Sequence, residues 1–296
     1  MQKKEQFRPA HLPNLLAMTY RRWIAKEPFR LSAVVAYYAV LSLPGLLVII
    51  VNLVGLIWGA EIVQGALTQE ITNALGSDTA QSIQNIIVET RDSNKNGIAT
   101  ILGIATLIYG ATGVFYHLQL SLNEIWNLQP NPKSTALKLL IDRAKSFAFI
   151  LAIGFLLLIS FFITAAIAAL RDYLGQVLPD LVVYITFFMD IIVSLGIITV
   201  LFALMFKYMP DTKVLWKTVR IGAIITGVLF LIGKTLIGFY FSEVEPDSTY
   251  GAAGTIVLIL LWVSYACLIL FFGAQFTNIY AQKYGLYKTI DTALEK

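Results

Sequence analysis

Charged side chains are scarce in this sequence. Asp, Glu, Lys and Arg together make up 14% of its 296 residues, against about 25% in ordinary globular proteins. Hydrophobic residues account for 57% of the chain. This composition excludes an ordinary soluble domain and predicts an all-α membrane protein whose helices cross the bilayer several times.

Cysteine and histidine are also rare, which excludes several classes of site. A lone Cys267 cannot form a disulfide framework, and His11 and His117 lie far apart in the sequence. No metal-binding, nucleophile or phosphate-loop motif accompanies them. We therefore expect no catalytic residue, no metal and no cofactor, so the protein is not an enzyme. His117 is interpreted as a packed or interfacial residue.

Six apolar runs are long enough to cross a bilayer as helices. They cover residues 31–58, 98–120, 147–170, 181–208, 219–241 and 251–276. No internal repeat and no long linker divides the chain. We expect residues 1–296 to form a single six-span membrane domain.

The Lys and Arg residues alternate between loops. Eighteen of the 22 fall on one side of the predicted spans: seven in residues 1–30, four in 119–146, four in 207–220 and three in 277–296. The other side has three, Arg91, Lys95 and Arg171. Because cytoplasmic loops carry the excess of basic residues, both termini are expected in the cytoplasm. The basic residues occur in separate loops without interleaved aromatics, which argues against nucleic-acid binding.

Two segments outside the spans have helical periodicity. Residues 14–26 predict an amphipathic helix in the cytoplasmic segment 1–30, lying either in the headgroup layer or against the protein's own cytoplasmic loops. Residues 59–97 predict an extracytoplasmic hairpin of two short helices, with Gly76 suited to end the first. We expect this hairpin to cover the outer mouth of the bundle.

The first span contains Pro44 and Gly45 near its middle. A proline there removes a backbone hydrogen bond, so the sequence predicts a kink or break in the helix. Such breaks line substrate sites in transporters, but proline is also tolerated in spanning helices whose neighbours satisfy the backbone. Both interpretations are open at this point.

Two ionisable residues lie deep inside predicted spans. Asp190 lies about 12 Å from the outer end of its span, and Lys234 lies about 10 Å from the outer end of the next. A charge inside a span costs a few kcal/mol unless it is paired or hydrated. We expect the two side chains to meet, directly or through one water, so that loss of one partner strands the other.

Polar residues recur at this depth in the other spans. They are Asn52, Thr106, Thr164 and Thr255. The shared depth predicts a polar cavity. The alternative is a structural clamp between the charges, with the hydroxyls bonded to their own helix backbones.

Several motifs occur in a fixed order along the chain. They are Ala36-Tyr37-Tyr38 with Ser42-Leu43-Pro44, Leu122-Asn123-Glu124-Ile125-Trp126, Tyr208-Met209-Pro210 with Trp216 and Gly222-Ala223, and Tyr250-Gly251-Ala252-Ala253-Gly254 with Leu261-Trp262 and Phe272-Gly273-Ala274. Together they resemble the YihY/BrkB family of bacterial inner-membrane proteins, long mislabelled ribonuclease BN. The sequence departs from that pattern at Gln275, where Glu is typical, and at Gly45, where a bulkier apolar residue is common.

The motif residues also have physical roles that the sequence predicts. Gly251 and Gly254 allow close helix approach, and Trp126 and Trp216 fit interfacial anchors. Asn123 and Glu124, which lie side by side, are expected to cap or brace the 121–146 loop.

The resemblance implies a multi-pass protein of the bacterial inner membrane with roles in envelope lipid transport and virulence. We expect it to move or gate an amphiphilic or charged solute, with membrane lipids as partners. The alternative is a scaffold that binds an envelope protein through the hairpin, and a membrane-bound ribonuclease is the third hypothesis. Gly110-Ala111-Thr112-Gly113 offers a small-residue face for contact between copies of the chain.

Overall fold

All regular secondary structure in the described part of the chain is helical. A computed structural model describes residues 11–51, 55–75, 77, 80–81, 83–85, 97–128, 136–177, 179–212, 214–244 and 254–284. Its helices are α1 (Leu12–Ile24), α2 (Pro28–Ile49), α3 (Gly55–Trp58), α4 (Ala60–Leu75), α5 (Gly97–Ile125), α6 (Ala136–Val177), α7 (Pro179–Tyr208), α8 (Trp216–Val244) and α9 (Gly254–Lys283). The all-α prediction is confirmed for these residues.

The six long helices form a closed ring. From α5 to α9 each packs against the next in chain order, α2 packs against α5, and α9 returns to α2. Only one residue separates α6 from α7, and residues 209–215 join α7 to α8. Such short connections make these helices antiparallel neighbours. The short α4 lies against α6, α8 and α9.

Four helical segments of the described residues are long and apolar enough to cross a membrane. They are Arg143–Ala168, Tyr184–Tyr208, Trp216–Phe241 and Gly254–Lys283, and Pro28–Leu43 is a shorter apolar helix. Large apolar side chains are exposed along them, among them Phe187, Phe188, Ile192, Leu236 and Phe239. Exposed apolar surface of this extent suits contact with lipid chains, so the protein is a helical membrane protein. The count of six spans stays a prediction.

The helix α2 is not broken at Pro44 and Gly45, and a kink there stays a prediction. The backbone of α2 remains helical through both residues to Ile49. At its end the Ile50 N–H bonds to the carbonyls of Leu46 and Leu47. A proline removes a single helical donor, and a spanning helix packed between neighbours tolerates that loss.

The amino-terminal helix α1 packs on the protein itself. Leu15 is fully buried in a cluster with Phe276, Ile279 and Tyr280 of α9. His11 bonds to the Tyr284 hydroxyl over 3.0 Å. The helix α1 thus packs on the end of the long helix α9. The sequence predicted that it would contact either lipid headgroups or cytoplasmic loops.

The hairpin is described in part. Its first arm is the helix α4, and Val63, Leu67 and Ile83 are buried in the main core. The Gln84 side-chain amide donates to the Thr68 hydroxyl over 2.7 Å, which links α4 to the following segment. Residues 86–96 lie outside the described residues, so the complete hairpin remains a prediction.

Candidate functional site

A cavity of about 600 Å³ lies within the helix ring. Its wall is built by α2, α6, α7, α8 and α9, and Leu67, Gln69, Ile71 and Ile83 add the hairpin region. Sites for small ligands have volumes of roughly 300–1,000 Å³. The cavity is therefore large enough to hold a ligand or the polar part of a lipid.

The polar residues of the wall gather at one end of the cavity. On the long helices they are Ser160 and Thr164 on α6, Asp190 and Ser194 on α7, and Lys234 on α8, and α4 adds Gln69. The lining residues nearer the other end of these helices are apolar, as at Ile153, Leu201 and Phe230. Ile153 and Thr164 are separated by about 16 Å along α6 at 1.5 Å per residue. The cavity is thus amphipathic along its length.

Asp190 and Lys234 stand at the same level on adjacent helices. Asp190 lies 18 residues before the end of α7 at Tyr208, and Lys234 lies 18 residues after the start of α8 at Trp216. Both are about 27 Å from the turn between these helices. The match in depth that the sequence predicted is thus present across the α7–α8 pair.

The two charges do not touch each other. Within the described part of the chain, no ion pair of 4.0 Å or less and no hydrogen bond joins either side chain to a partner. The direct ion pair predicted from the sequence is therefore absent, although both side chains line one cavity. A bridge through one water stays a prediction.

Of the other polar residues that were predicted at the depth of Asp190 and Lys234, the structure places those it describes in different surroundings. Thr164 lines the cavity, whereas Thr255 is half-buried near the start of α9 and is not among the lining residues. Asn52 and the side chain of Thr106 lie outside the described part. Ser160 and Ser194 were missed, although each lies four residues from a predicted member and so shares its helix face.

A network of hydrogen bonds surrounds the connection between α7 and α8, at the opposite end of these helices from Asp190 and Lys234. Asp211, just after α7, accepts hydrogen bonds from the Gln119 and Asn123 side chains of α5, each over 3.1 Å. The Asp211 backbone N–H donates to the Asn123 carbonyl oxygen over 2.9 Å. Lys145 of α6 lies 3.8 Å from the carboxylate. Three helices are thus joined at one loop residue that sequence analysis did not single out.

The motif residues Asn123 and Glu124 therefore bind partners other than those predicted. Asn123 is hydrogen-bonded to Asp211, and Glu124 forms an ion pair of 2.9 Å with Arg30 at the start of α2. Their backbone carbonyls accept hydrogen bonds from the N–H groups of Leu128 and Asn127 in the turn that follows α5, so the expected capping role is fulfilled by the backbone and not by the side chains. Trp126 is also not an interfacial anchor, since it is buried, whereas Trp216 is exposed as expected.

The α8–α9 contact is a close reciprocal crossing. A Cβ on Gly222 would lie 1.8 Å from the Thr277 hydroxyl oxygen, and one on Gly273 would lie 1.9 Å from that of Thr226. Thr226 and Thr277 donate to the carbonyls of Gly222 and Gly273 on their own helices. Small residues thus let the backbones approach without leaving unsatisfied hydroxyls. A repeated Gly-Ala-x-x-Thr pattern in both helices is the sequence signal for this crossing.

The remaining motif residues that the structure describes lie in aromatic contacts, in the cavity wall or buried within the protein. Tyr38 stacks on His117 with ring centroids 3.5 Å apart, and Tyr37 contacts Tyr38 edge-on. Trp262 lines the cavity. The others are Pro210 and Gly254, which are buried, and Tyr250 and Gly251, which lie outside the described residues.

Three further observations concern possible catalytic or metal-binding residues. The stacking against Tyr38 agrees with the interpretation of His117 as a packed residue. Gln275, at the position where the family resemblance led us to expect Glu, is buried, and its side-chain oxygen has no hydrogen-bond partner among the described residues. Among the described residues no group of three or more His, Cys, Asp or Glu side chains could hold a metal ion.

Comparison with known proteins gives distant relatives that are named as membrane proteins. The UPF0761 membrane protein MS0032 of Mannheimia succiniciproducens is 23% identical over 69% of this chain and 66% of its own length. A UPF0761 membrane protein of Glaesserella parasuis is 25% identical over 68% of this chain and 67% of its own length. The chain thus spans about two thirds of the length of these two relatives.

A third relative carries a different kind of name. The putative ribonuclease-like protein YfkH of Bacillus subtilis is 21% identical over 88% of this chain and 93% of its own length. No solved structure matches the chain. The model of the family described as Virulence factor BrkB matches residues 19–293. This match covers nearly the whole chain, and together with the helical ring it establishes that the protein belongs to the BrkB family of membrane proteins.

Proposed function

We propose that this protein moves or gates an amphiphilic or charged solute, such as an envelope lipid, across the bacterial inner membrane. The observation that carries the proposal is the cavity, with Asp190 and Lys234 at one end and an apolar wall toward the other. Charged residues inside a membrane protein are costly and typically mark a substrate or ion pathway. An amphiphile would place its polar group near the charges and its chain along the apolar wall.

A liposome assay with a fluorescent phospholipid tests this function. Lipid in the inner leaflet is protected from a membrane-impermeant quencher until a protein moves it outward. We expect faster loss of protection with the wild-type protein than with empty liposomes. Ser194→Trp, which fills the cavity, should abolish the gain, and Val228→Trp, on the exposed surface of α8, should retain it.

Other outcomes of that assay contradict the proposal. If translocation is independent of the protein, or Ser194→Trp leaves it unchanged, the cavity is not a lipid path. A partner that co-purifies in stoichiometric amount, without translocation, would favour the scaffold hypothesis instead.

The orientation of the protein is part of the same proposal. The excess of basic residues supports cytoplasmic termini and an extracytoplasmic α4. In a Cys267→Ala background, Glu61→Cys on α4 should react with an impermeant thiol reagent added to intact cells, because Glu61 is exposed. Lys217→Cys, exposed at the start of α8, should react only after the cells are opened. The reverse pattern would invert the topology.

We also propose that the protein is not a ribonuclease, whatever the name of the Bacillus relative. His117 is stacked on Tyr38. Among the described residues, no group of three or more His, Cys, Asp or Glu side chains could hold a metal ion for such a reaction. The purified protein should cleave no RNA above the level of a His117→Phe variant, which keeps an aromatic ring for the stack. Cleavage that this substitution abolishes would contradict the proposal.

A further inference from the structure

We infer that the ligand of the cavity is a zwitterionic amphiphile, with its cationic group at Asp190 and its anionic group at Lys234. The inference rests on the proposed function and names the substrate class for the same site. It is drawn from the positions and partners of these two side chains and from the shape of the wall around them.

The first step is the placement of the charges. Asp190 and Lys234 line one cavity at one level, on helices that pack directly against each other. Their charged groups are nevertheless more than 4.0 Å apart. A ligand headgroup that carries both signs of charge can contact both groups without moving either helix.

The second step is the state of each charge without a ligand. The described residues supply no ion-pair or hydrogen-bond partner to Asp190 or Lys234. Other lining residues at this end, Ser194 and Thr164, are neutral. Asp190 is exposed and Lys234 is half-buried, so neither charge is taken up by the protein itself and a ligand group of opposite charge can reach each of them.

The third step is selection among headgroups. An anionic amphiphile would pair with Lys234 but bring its negative charge toward Asp190, and a cationic one would have the opposite problem. Like charges held close together disfavour the wrong partner by several kcal/mol at an interface. Among these three headgroup classes only a zwitterion pairs with both residues, so a site with one acid and one base selects for it.

The fourth step concerns the rest of the ligand. Below the charges the wall is apolar, with Leu157, Ile198 and Leu201 among its residues. Burial of an acyl chain there gains about 0.8 kcal/mol for each methylene group. A free zwitterion such as an amino acid would leave this surface uncovered, so we assign the site to a chain-bearing molecule.

A binding experiment with three single-chain probes tests the inference. The probes share one chain length and differ in the headgroup: a lysophosphatidylethanolamine is zwitterionic, a lysophosphatidylglycerol is anionic, and an alkyltrimethylammonium is cationic. Binding to the purified full-length protein in a nonionic detergent is followed by native mass spectrometry. We expect wild type to prefer the zwitterion by roughly tenfold or more over either singly charged probe.

Substitutions should change that preference in opposite directions. Lys234→Met should favour the cationic probe, and Asp190→Asn should favour the anionic probe, because one charge remains in each variant. Asp190→Lys combined with Lys234→Asp should regain the preference for the zwitterion. Lys217→Met and Glu61→Gln remove charges of the same signs outside the cavity and should bind as wild type does.

The possible results separate this inference from the function on which it rests. If wild type binds the three probes equally, or prefers a singly charged one, the zwitterion assignment is overturned and transport of amphiphiles is not. If folded wild type binds none of them and moves no lipid in liposomes, the proposed function fails as well. The wild-type comparison decides the inference even if a variant does not fold.

Discussion

The two ends of the α7–α8 pair differ in whether their charged side chains have partners within the protein. Near the connecting turn, Asp211 is held by Gln119 and Asn123 and lies close to Lys145. At the other end, Asp190 and Lys234 have no partner among the described residues and face a cavity. The hydrogen bonds of Asp211 thus link α5 to the loop after α7, whereas our proposal assigns the charges in the cavity to a ligand.

Helix α8 combines close contacts with open volume. The α8–α9 crossing at Gly222 and Gly273 leaves no room for a methyl group, and a Cβ on Gly233 would lie 1.2 Å from the Tyr265 hydroxyl oxygen of α9. Lys234, the residue after Gly233, lines the cavity. A ligand site between rigidly joined helices requires such close contacts beside the open volume.

The largest effect on stability is expected at the helix crossing. Gly222→Ala places a methyl group against Thr277, and such overpacking should lower the free energy of unfolding by about 2–3 kcal/mol. Gly238→Ala is the matched control on the same helix, because a Cβ there meets nothing within 4 Å. Unfolding of both variants in mixed detergent micelles measures the difference. Equal stability of the two would show that the crossing is not tightly packed.

A smaller effect is expected in the Asp211 network. Asp211→Ala leaves Gln119 and Asn123 without their acceptor and should cost about 1–2 kcal/mol, since the carboxylate is partly exposed. The same unfolding measurement applies. Glu61→Gln, an exposed acid outside the network, should have almost no effect. If Glu61→Gln destabilises as much as Asp211→Ala, the network has no special role.

The smallest effect is expected at the exposed ion pair between Arg30 and Glu124. Both side chains are largely exposed to solvent, which screens their attraction. Arg30 also pairs with Glu27 over 2.7 Å, so Glu124→Gln is the change that removes this pair alone. Glu124→Gln should lower the unfolding temperature by less than Asp211→Ala does, and added salt should abolish this loss relative to wild type. A larger loss that persists in high salt would mean that this pair, too, is structural.

Much of the fold follows from the sequence, because long apolar runs specify spanning helices. The ends of the helices were harder to predict. For example, α6 begins at Ala136, where the apolar run begins at Phe147. Polar turns can extend a helix beyond hydrocarbon, and they carry no hydropathy signal. The tolerance of α2 for Pro44 likewise depends on neighbouring helices and not on local sequence.

The candidate site was predictable in depth but not in detail. The rise per residue converts sequence position into height, which is why Asp190 and Lys234 were expected at one level. Height does not determine the direction of a side chain around the helix axis, so their lack of contact could not be foreseen. The Asp211 network joins residues 88 and 92 positions apart, and no local pattern reports such contacts.

The central claim is that Asp190 and Lys234 serve a ligand and do not hold each other. A double-mutant cycle of Asp190→Asn and Lys234→Met, read as the free energy of unfolding in mixed detergent micelles without added ligand, tests it most directly. Our account predicts that the two effects add to within about 0.5 kcal/mol, because no ion pair is lost. Coupling of about 3–5 kcal/mol, the cost of stranding one partner of a buried pair, would contradict it and establish a structural clamp.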